Sequence, residues 1–411
     1  MTNHIDCFYS EIYLQANCFL KELEEIELKN LLLLADKYRQ MGEIVLSNQL
    51  LRKILDQSPY HLESWFWLSQ QDDLSRDNNA IRKMENCLEK VDLYKPNNSS
   101  YLFYALAKVR ETQEKYDESF CLFSKANSQR KSELNLFNTD AGIYIGQSRF
   151  HKSLFNSIKE LPNYVLGSTL GQELIFIIGL PRCGSTLVEA ILSMTENTIC
   201  FGESGNLSEV IDQSNILKFL ENEAFDRNYF FEKAGCIDTS YLKYVGGSIG
   251  KKVDKTLNNF YFAGLISRIW PAAKIIHVQR HPLDQILSAW KSRFLKGNTY
   301  TLELKDLVRV YISYKELMLF WNKELGERIY TCQYEDLVKD PINETKRLSK
   351  FCCVPWTERM LSPEKTKLLI KTASYKQVRD PINTSSVKGW QVYSKYLQPY
   401  IKNLIDSNVS L

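Results

Sequence analysis

Residues 174–194 read LIFIIGLPRCGSTLVEAILSM and decide the fold of the second half of the chain. The run Leu174–Gly179 is short and continuously apolar, which predicts a strand buried on both faces of a parallel sheet. A loop with glycines at Gly179 and Gly184 follows, and then an apolar helical segment. A strand, a glycine-rich loop and a helix in this order expose backbone N–H groups to an anion at the helix N-terminus. The sequence therefore predicts a phosphate-binding loop.

The loop differs from that of nucleoside triphosphatases at one chemically important position. Their pattern, G-x-x-x-x-G-K-[ST], places a lysine against the β- and γ-phosphates, and this chain has Ser185 there. The difference argues against hydrolysis of ATP or GTP. Arg182 lies inside the loop, where its guanidinium can donate paired hydrogen bonds to a phosphate. We predict that the loop residues bind a single phosphate: Arg182, Cys183, Gly184, Ser185 and Thr186.

Two further apolar runs, Lys274–Val278 and Arg328–Cys332, predict additional buried strands, and helical patterns lie between them. This order predicts an α/β domain with a parallel sheet and helices on both of its faces, which we place at residues 172–411.

The first half of the chain has apolar residues at helical spacing and predicts an all-α domain over residues 1–165. Pro59 and Pro96 each follow a helical run. A 34-residue frame puts small residues where two closely packed helices approach, at Ala35, Ser47, Ala107 and Ser119. The pattern resembles a tetratricopeptide repeat array over residues 30–130. The alternative is an irregular helical domain with coincidental spacing.

The loop segment Pro181–Leu187, P-R-C-G-S-T-L, resembles the P-R-S-G-T-T-L loop of sulfotransferases that use 3′-phosphoadenylyl-sulfate. Residues 174–293 and 330–390 are similar to the tyrosylprotein sulfotransferases and to the bacterial sulfotransferases that carry tetratricopeptide repeats. The resemblance implies a P-loop-type α/β fold, 3′-phosphoadenylyl-sulfate as the donor co-substrate, and no metal ion.

The resemblance also implies a second anion site, for the 3′-phosphate of the donor. Arg280 follows the second predicted strand and Ser288 lies eight residues later, which resembles the family's 3′-phosphate clamp. Tyr334 begins a Y-E-x-L motif whose tyrosine lies near the adenine in the family. Lys388 precedes Gly-Trp and resembles a lysine on the 3′-phosphate side, one residue short of the tyrosylprotein spacing. The third basic residue of the clamp has no match at the expected spacing.

Sulfuryl transfer to an alcohol needs a base for the acceptor proton and a cation for the leaving oxygen. Glu203, in the segment F-G-E-S, resembles the general base of the tyrosylprotein enzymes. Lys255 resembles the lysine of their D-K element and is implied to contact the bridging oxygen. Thr256 and Leu257 depart from the residues that usually follow it, so the shape of this loop stays open. Ser374, in the closing segment, is implied to aid the transition state of an in-line displacement.

Composition argues against nucleic-acid binding and metal binding, and it bears on the location of the protein. The net charge of +3 gives little support for nucleic-acid binding, and the five histidines lack metal-ligand spacing. Ten irregularly placed cysteines favour a reducing compartment, and the N-terminus lacks the features of a signal peptide, which together predict a cytoplasmic protein without a membrane span.

Two other functions stay open at this stage. One is a kinase-like phosphotransferase, and the other is a non-catalytic repeat scaffold with a vestigial sulfotransferase domain. The acceptor is open as well. A repeat array beside the catalytic domain suggests a peptide or protein hydroxyl such as tyrosine, or homodimerisation, and small-molecule, lipid and sugar hydroxyls remain alternatives.

Overall fold

The computed structural model describes residues 26–91, 98–160, 169–204, 206–221, 227–246, 249–295, 297–372 and 375–411. The chain divides after Glu133 into two compact units. Within the described ranges, no helix combines the length and the apolar character needed to cross a membrane.

The first unit is helical. Its described helices are α1 (26–41), α2 (Ile44–Gln57), α3 (Leu62–Gln71), α4 (Asn78–Val91), α5 (Ser100–Thr112) and α6 (Tyr116–Glu133). Helix α3 packs against α2 and α5, and α5 packs against α6. Their apolar faces form one buried cluster around Trp65, Leu68 and Leu102. The predicted helical first domain is thereby confirmed as a helix-rich region.

Two buried hydrogen bonds in this unit have the same spacing along the chain. The Ser47 hydroxyl donates to the Ala35 carbonyl at 2.9 Å, joining α2 to α1. The Ser119 hydroxyl donates to the Ala107 carbonyl at 2.9 Å, joining α6 to α5. All four residues are buried, so small side chains allow the helix backbones to approach and the hydroxyls find partners. The tetratricopeptide frame itself stays a prediction.

The second unit contains a five-stranded parallel sheet with the order β2-β3-β1-β4-β5. The strands are β1 (Leu174–Ile178), β2 (Thr198–Cys200), β3 (Lys251–Asp254), β4 (Lys274–Gln279) and β5 (Ile329–Gln333). Strand β1 is fully buried, as its unbroken apolar run predicts. Strands β1, β4 and β5 confirm the three predicted strands to within one residue. The sequence analysis missed β2 and β3, because both are short and β3 begins with two lysines.

The described part of this unit contains twelve α-helices. They are α7 (Ala141–Ile158), α8 (Ser185–Ser193), α9 (Asn206–Ser214), α10 (Ile216–Glu221), α11 (Arg227–Val245), α12 (Ala263–Ile269), α13 (Pro282–Trp290), α14 (Leu304–Leu325), α15 (Tyr334–Lys339), α16 (Pro341–Cys352), α17 (Tyr375–Val378) and α18 (Ser394–Asp406).

Helix α7 belongs to the second unit by its packing, although the predicted boundary of the first domain lies at residue 165. Its buried face includes Leu154, Phe155 and Ile158, and the Phe155 ring lies 5.2 Å from the Trp321 ring of α14. Gly264 allows this approach, because a Cβ there would lie 2.4 Å from Phe155 and 2.8 Å from Trp321. Periodicity identifies an amphipathic helix, but the surface that covers its apolar face depends on the tertiary fold.

The five strands are parallel, so their carboxyl ends lie along one edge of the sheet. Strand β1 lies at the centre, with β3 on one side and β4 on the other. In open α/β sheets, ligands bind in the crevice outside this edge. The phosphate loop, Lys255, Arg280 and Tyr334 follow strand ends, so the fold places them along this edge.

Candidate active site

The predicted phosphate loop connects β1 to α8 in a conformation that requires glycine at Gly184. This residue has φ +101°, and a Cβ there would lie 2.5 Å from Cδ2 of Tyr334. Arg182 also lies in the left-handed region, with φ +69°. Helix α8 begins at Ser185, directly after the glycine. The loop thus places the N-terminus of a nine-residue helix at the sheet edge, where it favours an anion.

Gln285 of α13 holds the start of this loop. Its side-chain amide donates to the carbonyls of Leu180 at 2.9 Å and Pro181 at 3.2 Å. Gln285 is buried, so these bonds hold the first residues of the loop against α13. Pro282 opens α13, as its position after the predicted strand suggests. Sequence reasoning did not identify Gln285 as a functional residue.

The other loop residues have different environments. Cys183 is fully buried and its side chain packs in the hydrophobic core, where burial raises the pKa of the thiol. Its side chain therefore points away from a ligand, and any contribution to binding comes from its main chain. Ser185 is also buried. Thr186 lines the cleft, and its hydroxyl lies 3.1 Å from the Thr372 hydroxyl.

Arg182, Arg280 and Ser288 come together although they belong to three different elements. The Arg182 Nε donates to the Ser288 hydroxyl at 2.9 Å. The Arg280 guanidinium, at the end of β4, donates to the Arg182 carbonyl at 3.2 Å. Burial and the nearby positive charge of Arg280 lower the pKa of Arg182 to about 10. A bound anion would stabilise the positive charge of Arg182 in this environment.

Arg280 is 7% exposed, and its guanidinium donates hydrogen bonds to uncharged carbonyl oxygens. Besides the Arg182 carbonyl, it donates to the Ser386 carbonyl at 2.6 Å, and within the described part of the chain its Nε has no hydrogen-bond partner. Its guanidinium carbon also lies 5.1 Å from the centre of the Tyr334 ring. A buried cation without a carboxylate partner is costly, which favours an anionic ligand at this position.

These groups line an open cleft at the carboxyl edge of the sheet. Residues from the loop, the β4 end, the β5 end and the closing segment form its walls, including Arg182, Thr186, Arg280, Tyr334 and Gln377.

The closing segment lies against this cleft through main-chain contacts. The Asp284 carboxylate accepts from the N–H groups of Lys388 at 2.7 Å and Trp390 at 2.9 Å. Lys388 itself is exposed, and the described lining of the cleft does not include it. Gln377 accepts a hydrogen bond from Arg182 at 3.0 Å. Ser374 lies outside the described residues.

Glu203 and Lys255 form an ion pair at the other side of β1. The Lys255 ammonium follows β3 and lies 2.9 Å from Oε1 of Glu203, in the turn after β2. The lysine side chain is 1% exposed, whereas the Glu203 side chain is 50% exposed. The pair therefore presents an accessible carboxylate and a buried cation to the same edge of the sheet.

Asp254, which precedes Lys255 in the D-K element, is held by two hydrogen bonds. The Asp254 carboxylate accepts from the Tyr241 hydroxyl at 2.8 Å and from the Thr256 N–H at 2.8 Å. A 3₁₀ helix, Leu257–Phe262, follows directly. The Asp254 carboxylate thus holds the backbone that follows Lys255 through the Thr256 N–H.

Glu189 of α8 is a charged residue that sequence reasoning missed. Its carboxylate accepts from the Gly202 N–H at 2.9 Å, and its second oxygen lies 3.8 Å from the Lys255 ammonium. Burial raises the pKa of Glu189, and the neighbouring Lys255 opposes that shift. The signal in the sequence was a single glutamate inside the otherwise uncharged helix STLVEAILS.

The two ionic regions are close enough to serve one ligand. Lys255 follows β3 and Arg280 follows β4, and these strands are separated by β1 alone. Neighbouring strands lie about 4.8 Å apart, so the two strand ends are roughly 10 Å apart. This geometry lets one ligand extend from the Arg280 region to the Glu203–Lys255 pair.

The model of the sulfotransferase family matches residues 174–358, from the first residue of β1 to beyond α16. The chain carries a sulfotransferase domain. The predicted sulfotransferase domain is therefore confirmed over these residues, and the tetratricopeptide part of the expectation stays a prediction. The sulfotransferase family generally uses 3′-phosphoadenylyl-sulfate as its donor. The matched range contains the phosphate loop, Glu203, Lys255 and Arg280.

Similar proteins include two relatives and one solved structure. An uncharacterized protein of Aquifex aeolicus is 28% identical over 82% of this chain and 45% of its own length, so this chain spans about half of that relative. Protein-tyrosine sulfotransferase 1 of Danio rerio is 23% identical over 64% of this chain and 74% of its own length. The sulfotransferase domain of the Synechococcus PCC 7002 olefin synthase is 18% identical, with 55% of this chain and 89% of that domain covered and a TM-score of 0.39.

Proposed function

We propose that this protein transfers the sulfuryl group of 3′-phosphoadenylyl-sulfate to a hydroxyl acceptor. One observation carries the proposal: Arg280, buried and bonded to carbonyl oxygens, lies against the phosphate loop, and Arg182 links that loop to Ser288. An adenosine with phosphates on both its 3′ and 5′ sides carries anionic groups that match a helix N-terminus and a separate pair of cations.

The contacts support an assignment of each residue to one end of the nucleotide. The N–H groups of the loop and the Thr186 hydroxyl would hold the 5′-phosphate. Arg280 and Ser288 would hold the 3′-phosphate. Arg182 joins this second group, because its Nε is bonded to Ser288 and its guanidinium faces the clamp. Tyr334, which packs on Gly184, would form the wall between the two ends.

The bound donor supplies a sulfuryl group on a phosphate leaving group, and the protein's own residues provide the acid–base and charge chemistry. Glu203 is half exposed, so its carboxylate can reach an acceptor hydroxyl and take its proton. Lys255 is held beside it and would stabilise the negative charge that develops on the leaving oxygen. Positive charge in this scheme comes from the lysine and the two arginines.

The acceptor that we propose is a tyrosine hydroxyl in a peptide or protein. The relative named Protein-tyrosine sulfotransferase 1 supports this choice. The helical first unit, with its repeated serine–carbonyl bonds, supports a tetratricopeptide-like array that would bind such a polypeptide. We also propose, from the cysteine content and the N-terminal sequence, that the protein acts in the cytoplasm.

The test is transfer of label from ³⁵S-labelled donor by the purified full chain to peptides that differ only in tyrosine, serine or phenylalanine at one position. We expect labelling of the tyrosine peptide. Glu203→Gln should lower kcat about 10²- to 10⁴-fold, while the protein still binds adenosine 3′,5′-bisphosphate. Glu209→Gln, an exposed glutamate on α9, is the matched control and should keep native activity.

Parallel reactions with ATP and Mg²⁺ test the phosphotransferase alternative. Phosphorylation of the peptide without sulfation would contradict the proposal. Labelling of a small hydroxyl compound, without labelling of any peptide, would contradict the acceptor and leave the donor assignment standing. A native protein that binds neither nucleotide would support the scaffold alternative.

A further inference from the structure

The carboxylate of Glu189 joins three parts of the site. It lies on α8, the helix that follows the phosphate loop, and its side chain is 6% exposed. One oxygen accepts from the Gly202 N–H at 2.9 Å, in the turn that carries Glu203. The other oxygen lies 3.8 Å from the Lys255 ammonium. A group so buried cannot reach a hydroxyl acceptor, and its contacts are with the residues that do the chemistry.

The charge of Lys255 depends on its carboxylate neighbours, because its side chain is 1% exposed and a buried ammonium is unstable without anionic partners. Glu203 and Glu189 both face it. Other ionisable groups nearby are Asp254, which is bonded to Tyr241 and Thr256, and the buried thiols of Cys183 and Cys200. Glu189 and Glu203 are thus the carboxylates in contact with the ammonium among the described residues.

The proposed reaction changes this balance. When Glu203 takes the acceptor proton, its carboxylate becomes neutral, and Glu189 is left as the anionic neighbour of Lys255. The ammonium must remain charged at that moment, because the leaving phosphate oxygen is gaining negative charge. A second carboxylate that does not exchange a proton with substrate would keep the Lys255 ammonium charged.

We propose that Glu189 is a positioning residue that keeps Lys255 protonated and holds the Gly202–Glu203 turn against it. This inference rests on the proposed sulfuryl transfer. Its two contributions are separable, since the bond to the Gly202 N–H needs only an oxygen acceptor, whereas the effect on Lys255 needs a negative charge.

The variant Glu189→Gln separates the hydrogen bond to Gly202 from the effect of the negative charge on Lys255. Glutamine keeps the side-chain shape and an oxygen for the Gly202 N–H but removes the charge. We expect donor KM and the affinity for adenosine 3′,5′-bisphosphate within about twofold of native, and kcat lower by about tenfold. The alkaline limb of the kcat–pH profile should move to lower pH, because a carboxylate at this range favours the charged form of the ammonium and glutamine does not. Glu209→Gln is again the control.

Native kcat and a native pH profile in Glu189→Gln would overturn the inference, as would a rise in KM at unchanged kcat. A second measurement separates this outcome from a failure of the proposed function. In protein labelled with ¹³C at lysine Cε, the pH midpoint of the Lys255 resonance should be lower in Glu189→Gln than in the native protein. An unchanged midpoint would overturn the inference even if no transfer activity were found.

Discussion

Two regions of the same sheet edge hold positive charge in different ways. At the end of β4, the Arg280 guanidinium is bonded to the main-chain carbonyls of Arg182 and Ser386. At the end of β3, the Lys255 ammonium is bonded to one carboxylate and lies 3.8 Å from another. A buried cation with neutral partners gains by binding an anion, whereas a cation with carboxylate partners is already balanced. We therefore assign nucleotide binding to the first region and the transfer chemistry to the second.

Replacement of Lys255 should give the largest difference between the effect on kcat and the effect on nucleotide affinity. Lys255→Met keeps the apolar stem of the side chain and removes the ammonium. We expect kcat to fall about 10²- to 10³-fold, as for loss of a group that stabilises transition-state charge. The affinity for adenosine 3′,5′-bisphosphate should change little, which calorimetric titration can measure beside the steady-state kinetics.

Lys251→Met is the control for this variant. Lys251 begins the same strand, and its ammonium donates to the Gln172 carbonyl at the surface. It should retain native kcat. Equal losses of kcat and nucleotide affinity in Lys255→Met would show that the two regions do not divide the work as we propose.

A pair of glycine variants gives a smaller effect in each region. Gly184 and Gly202 both have positive φ, but only at Gly184 would a Cβ collide, with Tyr334, whereas Gly202 has open space. Gly184→Ala should weaken nucleotide binding at least tenfold and destabilise the fold by about 1–3 kcal/mol. Gly202→Ala should cost about 1 kcal/mol and keep the nucleotide affinity. Thermal unfolding measures the stability of the two variants, and nucleotide titration measures their affinity. Equal loss of nucleotide affinity in the two variants would contradict the assignment of nucleotide binding to the region of Gly184.

The smallest predicted effect is on the contact that connects Arg182 to the closing segment. Gln377→Ala removes the acceptor of one exposed hydrogen bond from Arg182. Since such a bond contributes about 1 kcal/mol net, nucleotide affinity should fall about fivefold with kcat unchanged. Gln391→Ala, also exposed, serves as the matched control and should bind as the native protein does. A loss of kcat in Gln377→Ala would place Gln377 itself in the chemical step instead.

Local sequence was sufficient for the central strand, the phosphate loop and the residues after the strand ends. The reason is that a parallel sheet brings its carboxyl ends together, so that Arg182 meets Arg280 and Glu203 meets Lys255 along one edge. Each of these residues stands beside a pattern that can be recognised without tertiary information.

Two buried polar residues inside helices could not be assigned in the same way. Glu189 and Gln285 are buried in α8 and α13, and their partners come from a turn and a loop elsewhere in the chain. A polar residue at a buried helix position indicates that a partner exists, but the fold decides which one. The packing partner of α7 escaped prediction for the same reason.

The most direct test of the account is the contribution of the 3′-phosphate to binding. The affinities of adenosine 3′,5′-bisphosphate and adenosine 5′-monophosphate are measured for the native protein and for Arg280→Ala. We expect the 3′-phosphate to increase affinity at least about tenfold in the native protein, as a charge-assisted contact with a guanidinium should, and the increase to disappear in the variant. Equal affinities of the two nucleotides for the native protein, or an increase that survives in Arg280→Ala, would contradict the account.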